Sequence, residues 1–395
     1  MRPWHLILLI VILGFFAVIT GWNILYILTY VVLCLVILSW LWTCVCLRKL
    51  VFHRNTIGGE HIQVGEVFEE SLALDNLSTL PKLWVQITDG STLPGHQAGY
   101  IASMGGRKRA IWRARSRCRL RGRFQLGPVI ATSGDPFGLF NHRLSLSPAS
   151  EIVVLPRVHQ ITQLAFFAGG LPGRGKSSQR ALQRTTKATT VREYVIGDSL
   201  SRIHWRSSAR YNKLMVKEFD LDPAIDAWIF LDLHAAVQAG EGEHSTEEYG
   251  VTIAATIAHY LLRQDLSVGM VVNGERQEFL ALDRGDRQIQ RMLEMLAVVR
   301  AGLGPGLKDA LAMDTFHFGR NSIAIVITPS NTRDWHESLR HLQLRGVQVA
   351  VVGLVAASFE EQSTNEDTLT LLEEMNIPVM RVRWGEAIPA ILEGA

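Results

Sequence analysis

Two apolar runs at the amino terminus constrain this chain more than any other feature of its sequence. Leu6 to Ile19 is apolar apart from Gly14, and Ile24 to Leu47 follows almost at once without a charged residue. The second run holds 14 isoleucine, leucine or valine residues, which gives an upper bound of about −4 to −8 kcal/mol for insertion into a bilayer. Because a segment in lipid must satisfy its own backbone hydrogen bonds, the runs predict two transmembrane helices over residues 1–47.

The connection between the two runs is short, so the predicted helices form a hairpin with both ends on one side of the membrane. Arg48, Lys49 and Arg54 follow the second run, and the positive-inside bias then places both termini and the rest of the chain in the cytoplasm. A cleaved signal peptide is the alternative for the first run, but no small-residue cleavage site follows it. Tryptophans stand where interfacial anchors are expected, at Trp4, Trp22, Trp40 and Trp42.

Residues 60–156 contain short alternating runs separated by turn residues, which predicts a small antiparallel β-sandwich. Ile111 to Leu126 is predicted as one strand, and in it arginines stand two residues apart, so that all six would point to one face. Two interpretations of this stripe stay open: contact with acidic lipid headgroups, or a solvated face whose charges prevent aggregation. The six residues are Arg113, Arg115, Arg117, Arg119, Arg121 and Arg123.

Composition limits the classes of function. The chain has 395 residues, 48% of them hydrophobic, and a formal net charge of +3, which suits two ordinary domains in addition to a membrane segment. With this modest charge and no recognised reading motif, the sequence predicts no nucleic-acid partner. The four cysteines have neither the spacing of a disulfide framework nor that of a zinc site, and they suit a reduced cytosolic setting.

Residues 221–395 alternate between apolar runs and amphipathic segments, which predicts strands and helices in turn. Ile225 to Leu233 is typical of a buried first strand, and Thr246 begins a predicted helix that ends near Leu262. Asn273-Gly274 stands between two strand-like runs and predicts a hairpin. The fold class predicted is α/β: a doubly wound, mostly parallel sheet with one antiparallel hairpin and helices on both faces.

An arginine-rich motif closes the linker predicted over residues 157–220. Arg202, Arg206 and Arg210 recur every four residues and would share one face of a helix. Asp198, which follows Gly197, is the predicted N-cap of that helix.

Two interpretations of the motif stay open. One is an ion-pair lattice at a domain boundary, with Trp205 as a packing anchor and with acidic partners at Glu193, Asp198, Glu218 and Asp220. The other is a binding site for an anionic or protein partner, in which arginines and flat aromatic rings make the contacts. The residues assigned to either role are Arg192, Tyr194, Gly197, Asp198, Arg202, Trp205, Arg206 and Arg210.

Gly170 to Ser177 fits the phosphate-loop pattern G-x-x-x-x-G-K-[ST]. A functional loop of this kind needs a strand before it and a helix after it, so that backbone N–H groups face the phosphates. Gln160 to Ala168 is weak as a strand, and Ser178 to Thr190 lacks an apolar helical stripe. A Gly/Ser-rich linker is therefore the simpler interpretation.

Several short motifs of this chain occur together in one known family. They include Asp135-Pro136-Phe137-Gly138-Leu139-Phe140 and, with Gly122, Leu126-Gly127-Pro128. The others are Arg192-Glu193-Tyr194, Gly197-Asp198, Arg202-Ile203-His204-Trp205, Ser208-Ala209-Arg210 and the run Leu214 to Glu218. This combination resembles the bacterial family called domain of unknown function 58, and the agreement in segment order extends over nearly the whole chain.

The resemblance implies a membrane-anchored protein whose C-terminal domain is similar to the von Willebrand factor A fold. It also implies a partner, a MoxR-type AAA+ ATPase, and a shared role in assembly or maturation of complexes. No catalytic residue can be carried over, because the resemblance implies no established activity.

Von Willebrand A domains often bind a divalent cation through Asp-x-Ser-x-Ser after the first strand. Here that position has Asp232, but His234 and Ala236 stand where the hydroxyl residues would be. Since a hard cation such as Mg²⁺ needs several oxygen ligands, we expect no metal and interpret Asp232 as a polar residue satisfied at a strand end.

The sequence thus predicts a non-enzymatic scaffold or interaction protein of the bacterial inner membrane, with no cofactor and no identified small-molecule substrate. Two alternatives belong to other classes of function. One is a nucleotide-binding protein that uses Gly170 to Ser177, and the other is a metal-dependent von Willebrand A-type module that uses Asp232.

Overall fold

The computed structural model describes residues 4–57, 62–168, 190–195, 200, 203–218, 226–313, 318, 322–360 and 365–394. The chain divides into two units, Met1–Leu155 and Pro156–Ala395. The first contains the apolar helices and a β-rich body, and the second contains the arginine-rich motif and an α/β body.

Two apolar helices open the first unit, α1 over Trp4–Thr20 and α2 over Asn23–Cys46. Gly14 of α1 lies beside Thr29 of α2, so α1 folds back along α2. The 24 residues of α2 give it a length of about 36 Å, and by length and composition it could cross a membrane. Among the described helices it alone meets both criteria, because α1 is shorter.

The β-rich body contains three sheets. Their strand orders are β1-β3-β6, β5-β4-β8-β9 and β2-β10-β7, with every pairing antiparallel except β2 with β10. The bounds are β1 Leu50–Ile57, β2 Ile62–Gln63, β3 Val67–Asn76, β4 Lys82–Asp89, β5 Tyr100–Met104, β6 Arg109–Arg117, β7 Gly122–Leu126, β8 Val129–Gly134, β9 Asn141–Ser147 and β10 Ser150–Leu155. Strand β1 precedes the β-rich domain predicted over residues 60–156. It nevertheless belongs to the β-rich body, because it pairs with β3.

A hydrophobic core joins two of these sheets to the end of α2. Leu74 of β3, Val85 of β4 and Ala131 of β8 pack together with Cys46 and Leu47, and all five are buried. Alternation in β3 accounts for this packing, since every second side chain of that strand points inward. The last turn of α2 is thus part of the core of the β-rich body.

The prediction of a single arginine-bearing strand over Ile111 to Leu126 is wrong. Strand β6 ends at Arg117 and β7 begins at Gly122, whose φ of +145° breaks the extended run. Arg113, Arg115 and Arg117 remain on one exposed face, but Arg121 is completely buried. The alternation rule therefore holds within β6 and fails beyond its end.

The second unit begins with α3 over Ala165–Ala168 and a small motif of two strands and one helix. These are β11 over Thr190–Glu193, α4 over Trp205–Tyr211 and β12 over Met215–Glu218, with β11 and β12 antiparallel. A six-stranded sheet then follows in the order β15-β14-β13-β16-β17-β18. Its elements are β13 Asp226–Asp232, α5 Thr246–Arg263, β14 Ser267–Asn273, β15 Gln277–Asp283, α6 Asp286–Val298, α7 Leu307–Met313, β16 Ser322–Thr328, α8 His336–Leu344, β17 Gln348–Leu354, α9 Glu366–Glu374, β18 Val379–Val382 and α10 Ile388–Glu393.

The structure confirms the mostly parallel sheet with helices on both faces. Only β14 and β15 run antiparallel, and they form the hairpin predicted at Asn273-Gly274. Trp228 and Phe230 of β13 pack in a core with residues of α7, α8 and α9. Leu231 points to the opposite face, where it lies beside Gly250 of α5.

Trp228 anchors the core of this sheet. Its side chain is 2% exposed and stacks on Phe279 at 5.6 Å between ring centroids. A Cβ atom on Gly269 of the adjacent strand would lie 2.6 Å from the Trp228 ring, so only glycine fits below it.

We expect Trp228→Ala to lower the free energy of unfolding by about 3–5 kcal/mol, because it removes a large buried side chain and leaves a cavity. Trp205→Ala is the matched control: that side chain is 68% exposed, and its loss should change stability by less than about 0.5 kcal/mol. Denaturant unfolding of the full-length protein in detergent, followed by circular dichroism, measures both. Equal effects of the two substitutions would contradict the placement of Trp228.

Candidate functional site

Helix α4 carries the part of the arginine-rich motif that the structure describes. The helix begins at Trp205, and its N-cap is His204, whose Nδ1 accepts a hydrogen bond from the Ser207 N–H at 3.3 Å. It ends after Tyr211 at Asn212, a residue with φ of +52° that suits asparagine better than most side chains.

This start corrects the helix predicted from sequence. Ile203 forms a β-bridge with Val216, so the helix does not extend back from Trp205, and Asp198 is not its N-cap. Arg206 and Arg210 stand four residues apart on α4 and are both exposed. Gly197, Asp198 and Arg202 lie outside the described residues. Of the three arginines predicted to share one face, the structure therefore describes the last two.

Hydrogen bonds hold α4 firmly against β12. The His204 N–H donates to the Met215 carbonyl at 2.8 Å, and the Met215 N–H donates to Ser208 Oγ at 2.9 Å. Ser208 is the buried residue of α4, and Ile203 and Val216 are buried beside it. On the β11 side, the Tyr194 N–H extends the ladder by donating to the Leu214 carbonyl at 2.8 Å.

The outer side of α4 exposes two large aromatic rings and two guanidinium groups. Trp205 is 68% exposed and Tyr211 is 60% exposed. Trp205 is thus not packed within the described part of its own unit, and its interpretation as a packing anchor at a domain boundary stays a prediction. We call this the Trp205 surface, defined by Trp205, Arg206, Arg210 and Tyr211.

The remaining motif residues lie on or next to β11. Arg192 and Tyr194 are half-buried, and Arg192 donates from its guanidinium to the Glu193 carbonyl at 3.2 Å. The Glu193 carboxylate pairs with Lys213 at 3.1 Å, a lysine that is not among the arginines of the motif. The other acidic residues of the lattice interpretation cannot be compared: Asp198 and Asp220 lie outside the described residues, as does the Glu218 side chain.

Asp232 lies at the carboxyl end of β13, beside the carboxyl end of β16. Strand β13 has β14 on one side and β16 on the other, so the strand order reverses at β13. Ligands of such sheets usually bind at the carboxyl ends of the strands where the order reverses. The Asp232 carboxylate accepts hydrogen bonds from the Thr328 hydroxyl at 2.7 Å and from the His234 N–H at 3.1 Å. Burial raises the pKa of Asp232, and these two hydrogen bonds oppose that shift. Both oxygens thus have donors within the protein, as expected for a polar residue satisfied at a strand end.

A buried ion cluster inside the β-rich body is a feature that the sequence analysis missed. Arg54 contacts Glu70 at 3.0 Å and Asp89 at 2.9 Å, and His96 Nε2 contacts the same carboxylates at 3.1 and 3.4 Å. The side chains of Glu70 and His96 have no solvent exposure. The other ring nitrogen of His96, Nδ1, forms a hydrogen bond of 2.9 Å with Ser116 Oγ.

Within the part of the chain that the structure describes, Glu70, Asp89 and His96 are the one group of three with metal-ligating atoms close together. The Arg54 guanidinium and the His96 imidazolium together balance the charges of both carboxylates, and their positive charges would repel a cation held there. The cluster is therefore better suited to stabilise the sandwich than to bind a metal. One signal in the sequence marks it: Glu70 falls on the inward face of β3, in register with Phe68 and Leu72.

The nucleotide-binding alternative, a phosphate loop at Gly170 to Ser177, lies outside the described residues. The structure therefore gives no geometry for it.

Comparison with known proteins gives two findings at the sequence level. Residues 190–363 match the family described as "Protein of unknown function DUF58". A Bacillus subtilis (strain 168) protein named "Uncharacterized protein YeaD" is 22% identical over 268 residues, which cover 67% of this chain. The chain spans 63% of the length of that curated relative. The DUF58 match covers the Trp205 surface and Asp232, and it agrees with the family resemblance for the motifs after residue 190. The motifs at residues 122–140 lie outside the matched range, and for them the resemblance stays a prediction.

Two solved structures illustrate the similarity in structure. The pilus adhesin SpaC from Lactobacillus rhamnosus GG aligns at 13% identity with a TM-score of 0.33, covering 43% of this chain and 30% of that one. The CARDB domain of the PF1109 protein from Pyrococcus furiosus aligns at 10% identity with a TM-score of 0.21, covering 27% of this chain and 91% of that one. Similarity at this level does not establish a shared fold.

The ion cluster predicts a loss of stability at alkaline pH. Burial alone would lower the pKa of His96, but hydrogen bonds and charges from Asp89 and Glu70 raise it to about 9. Because this exceeds the value of about 6.5 for an unfolded histidine, the contribution of His96 is fully present below pH 6.5 and lost as pH rises through 9. We expect the free energy of unfolding of the β-rich body to fall by up to about 3 kcal/mol across that window.

His96→Gln should abolish this pH dependence, whereas His142→Gln, at an exposed position of the same body, should retain it. Denaturant midpoints of the full-length protein can be read from alkylation of Cys118, which is buried in that body. A midpoint that stays constant from pH 6 to pH 9 in the unaltered protein would show that His96 is not held in its charged form.

Proposed function

We propose that the protein, whose residues 190–363 carry the DUF58 pattern, is a membrane-anchored interaction protein that presents its α/β unit to a protein partner. The proposed role involves no catalysis, and the Trp205 surface is the proposed binding site for the partner. A von Willebrand factor A-like identity for the α/β unit is part of it, motivated by the strand order and by the family resemblance.

The exposed aromatic rings of α4 are the observation that carries this proposal. Trp, Tyr and Arg dominate the residues that contribute most binding energy at protein interfaces, and all three types are exposed on the single short helix α4. The backbone beneath them is fixed by the hydrogen bonds to Met215. A fixed surface loses little conformational freedom on binding, which favours affinity.

The resemblance to the domain of unknown function 58 family suggests a MoxR-type AAA+ ATPase as the partner, with a role in assembly or maturation of complexes. The two arginines of the surface favour an acidic patch on that partner, because a guanidinium can bind a carboxylate through two parallel hydrogen bonds. The proposal gives Asp232 no catalytic role, since its carboxylate accepts hydrogen bonds from Thr328 and His234.

Anchoring through α1 and α2 as a transmembrane hairpin is the second part of the proposal. Side chains of α2 such as Ile24, Ile27 and Leu38 are exposed despite being apolar, which suits contact with lipid. Arg48 and Lys49 follow the helix and are exposed. The positive-inside bias then favours the cytoplasmic side of a bacterial inner membrane for both termini and both bodies.

We expect Trp205→Ala and the pair Arg206→Glu/Arg210→Glu each to weaken partner binding by about 2 kcal/mol or more, roughly thirty-fold in affinity. The measurement is a crosslinking pull-down of the full-length protein from native membranes, with the retained ATPase identified by mass spectrometry.

Arg287→Glu/Arg291→Glu provides a matched control, because these exposed arginines also stand four residues apart on one helix, α6. This pair should retain the partner. The proposal is wrong if the unaltered protein retains no AAA+ ATPase, or if the control pair loses it to the same degree.

Membrane anchoring has its own test. We expect the full-length protein to stay with the membrane after an alkaline wash and to need detergent for release. Leu33→Arg should cost about 3 kcal/mol against an insertion energy of up to about 4–8 kcal/mol, so most of that variant should stay with the membrane. Leu33→Ala is the control for the substitution itself. Recovery of the unaltered protein in the soluble fraction without detergent would rule out the anchor.

A further inference from the structure

The last turn of α2 is built into the β-rich body, so the helix fixes which end of that body faces the membrane. Cys46 and Leu47 are buried in its core. Lys82 Nζ donates to the Val45 carbonyl at 3.0 Å, and Ser39 Oγ donates to the Asp135 carboxylate at 2.9 Å. Contacts at Ser39, Val45 and Cys46 thus attach the body to the final turns of α2.

The loop of residues 135–140 reaches the level of the membrane boundary. Ser39 lies seven residues before Cys46, about 10 Å along the axis, and this last part of α2 is packed against the β-rich body. The part of α2 before Ser39 is about 24 Å long, close to the thickness of a hydrocarbon core of about 30 Å, so the contact with Asp135 falls near the core edge. Trp40 and Trp42 follow Ser39 by one and three residues, and tryptophan is typical of the membrane interface.

Asp135 shapes this loop so that an aromatic ring points outward. Its buried carboxylate accepts hydrogen bonds from the Phe137 N–H at 3.0 Å and the Phe140 N–H at 2.6 Å, in addition to that from Ser39. Gly138, with φ of +71°, completes the turn. The Phe137 side chain is 63% exposed, at a level where apolar exposure suits lipid and not water.

Two further loops lie at the same end of the body. The Leu77 N–H donates to the Lys49 carbonyl at 3.0 Å, and Leu77 and Leu80 are 60% and 48% exposed. Asn76 joins the loops, because its side-chain amide donates to the carbonyls of Leu80 and Gly105, each at 2.9 Å.

The loop of residues 105–108 lies so close to the loop that contains Thr79 that one of its positions requires glycine. A Cβ atom on Gly106 would lie 2.1 Å from the Thr79 carbonyl oxygen. Arg107 and Lys108 follow and are exposed, as Lys49 is. Cations beside exposed apolar side chains are the pattern of surfaces that lie on anionic membranes.

The arginine stripe of β6 does not share this location. Strand β6 runs from Arg109, which is paired with Asp75, to Arg117, opposite Val67, a distance of about 27 Å. Arg113 and Arg115 pair with Glu69 at 3.7 and 3.1 Å. Of the two interpretations of the stripe, headgroup contact suits the residues near α2 better than the stripe itself.

We infer that this end of the β-rich body is a lipid-binding rim, with apolar side chains in the acyl boundary and cations on anionic headgroups. The inference rests on the proposed anchoring through α2. The rim consists of Lys49, Leu77, Leu80, Arg107, Lys108 and Phe137.

Site-specific crosslinking to lipid tests the rim in the full-length protein. The photoreactive substitution Phe137→benzoylphenylalanine is introduced, and the protein is reconstituted in vesicles of phosphatidylcholine with phosphatidylglycerol. Leu80→benzoylphenylalanine provides a second position in case the first disturbs its loop. We expect lipid adducts at both. Val67→benzoylphenylalanine, at an exposed apolar position on the far end of β3, should give none.

Leu33→benzoylphenylalanine separates this inference from the proposed anchoring, because Leu33 is an exposed residue within α2. Absence of its adduct would mean that α2 is not in the bilayer, and both inferences would fail. An adduct at Leu33, combined with yields at Phe137 and Leu80 as low as at Val67, would overturn the rim alone.

A charge test identifies the headgroups. Arg107→Gln/Lys108→Gln should lower the Phe137 adduct yield at least several-fold in vesicles containing phosphatidylglycerol and leave it unchanged in phosphatidylcholine alone. Arg113→Gln/Arg115→Gln is the matched control on the stripe and should have no effect. A larger loss from the stripe pair than from the loop pair would contradict the assignment of the cations.

Discussion

The attachment of α2 to the β-rich body is the constraint on which the arrangement of the first unit depends. Only Leu47, Arg48 and Lys49 separate α2 from β1, and the first of these is buried in the sandwich core. A connection this short leaves little freedom for the body to rotate about the helix. If α2 crosses a membrane, the β-rich body therefore meets the bilayer with one defined end, and its loops there must suit lipid as well as water.

Inside the same body, apolar packing and a buried ion cluster stabilise the sandwich in different ways. The core around Leu74 and Val85 gains from the removal of apolar surface from water, which has no directional requirement. The cluster of Arg54, Glu70 and His96 gains only when each charge has its partner at short distance. Removal of one member would leave another charge buried without compensation, so the cluster favours one alignment of β1, β3 and β4 over alternatives shifted in register.

Much of the second unit could be predicted from sequence, because its signals are local. The apolar run of β13 and the Asn273-Gly274 turn each specify an element through neighbouring residues, and the structure has these elements where they were expected. The arginine stripe shows where local reasoning ends. Alternation beyond Arg117 predicts an exposed Arg121, but the strand breaks and the chain turns that side chain inward.

The features missed in the first unit depend on residues far apart in the chain. Ser39 and Asp135 are 96 positions apart, and no periodicity links a polar residue of an apolar helix to a loop in a β-sandwich. Glu70 is different, since its place on the inward face of β3 could be deduced from alternation with Phe68 and Leu72. Its partner His96 lies in a loop and could not.

Some arginines of this chain are paired with acidic side chains and others are exposed. This difference determines which of them can contact an external ligand. Arg54 is paired in the interior and Arg109 is paired with Asp75 at the surface, so neither has a charge to offer an external ligand without losing a partner. Arg107 and Arg206 are exposed, one beside apolar loops at the end of α2 and the other beside aromatic rings on α4. Apolar loops next to a helix that could cross a membrane suit lipid, whereas an aromatic and arginine surface on a fixed helix suits a protein. A sequence of modest net charge can therefore support two electrostatic contacts of different kinds, because position and neighbours determine what each cation binds.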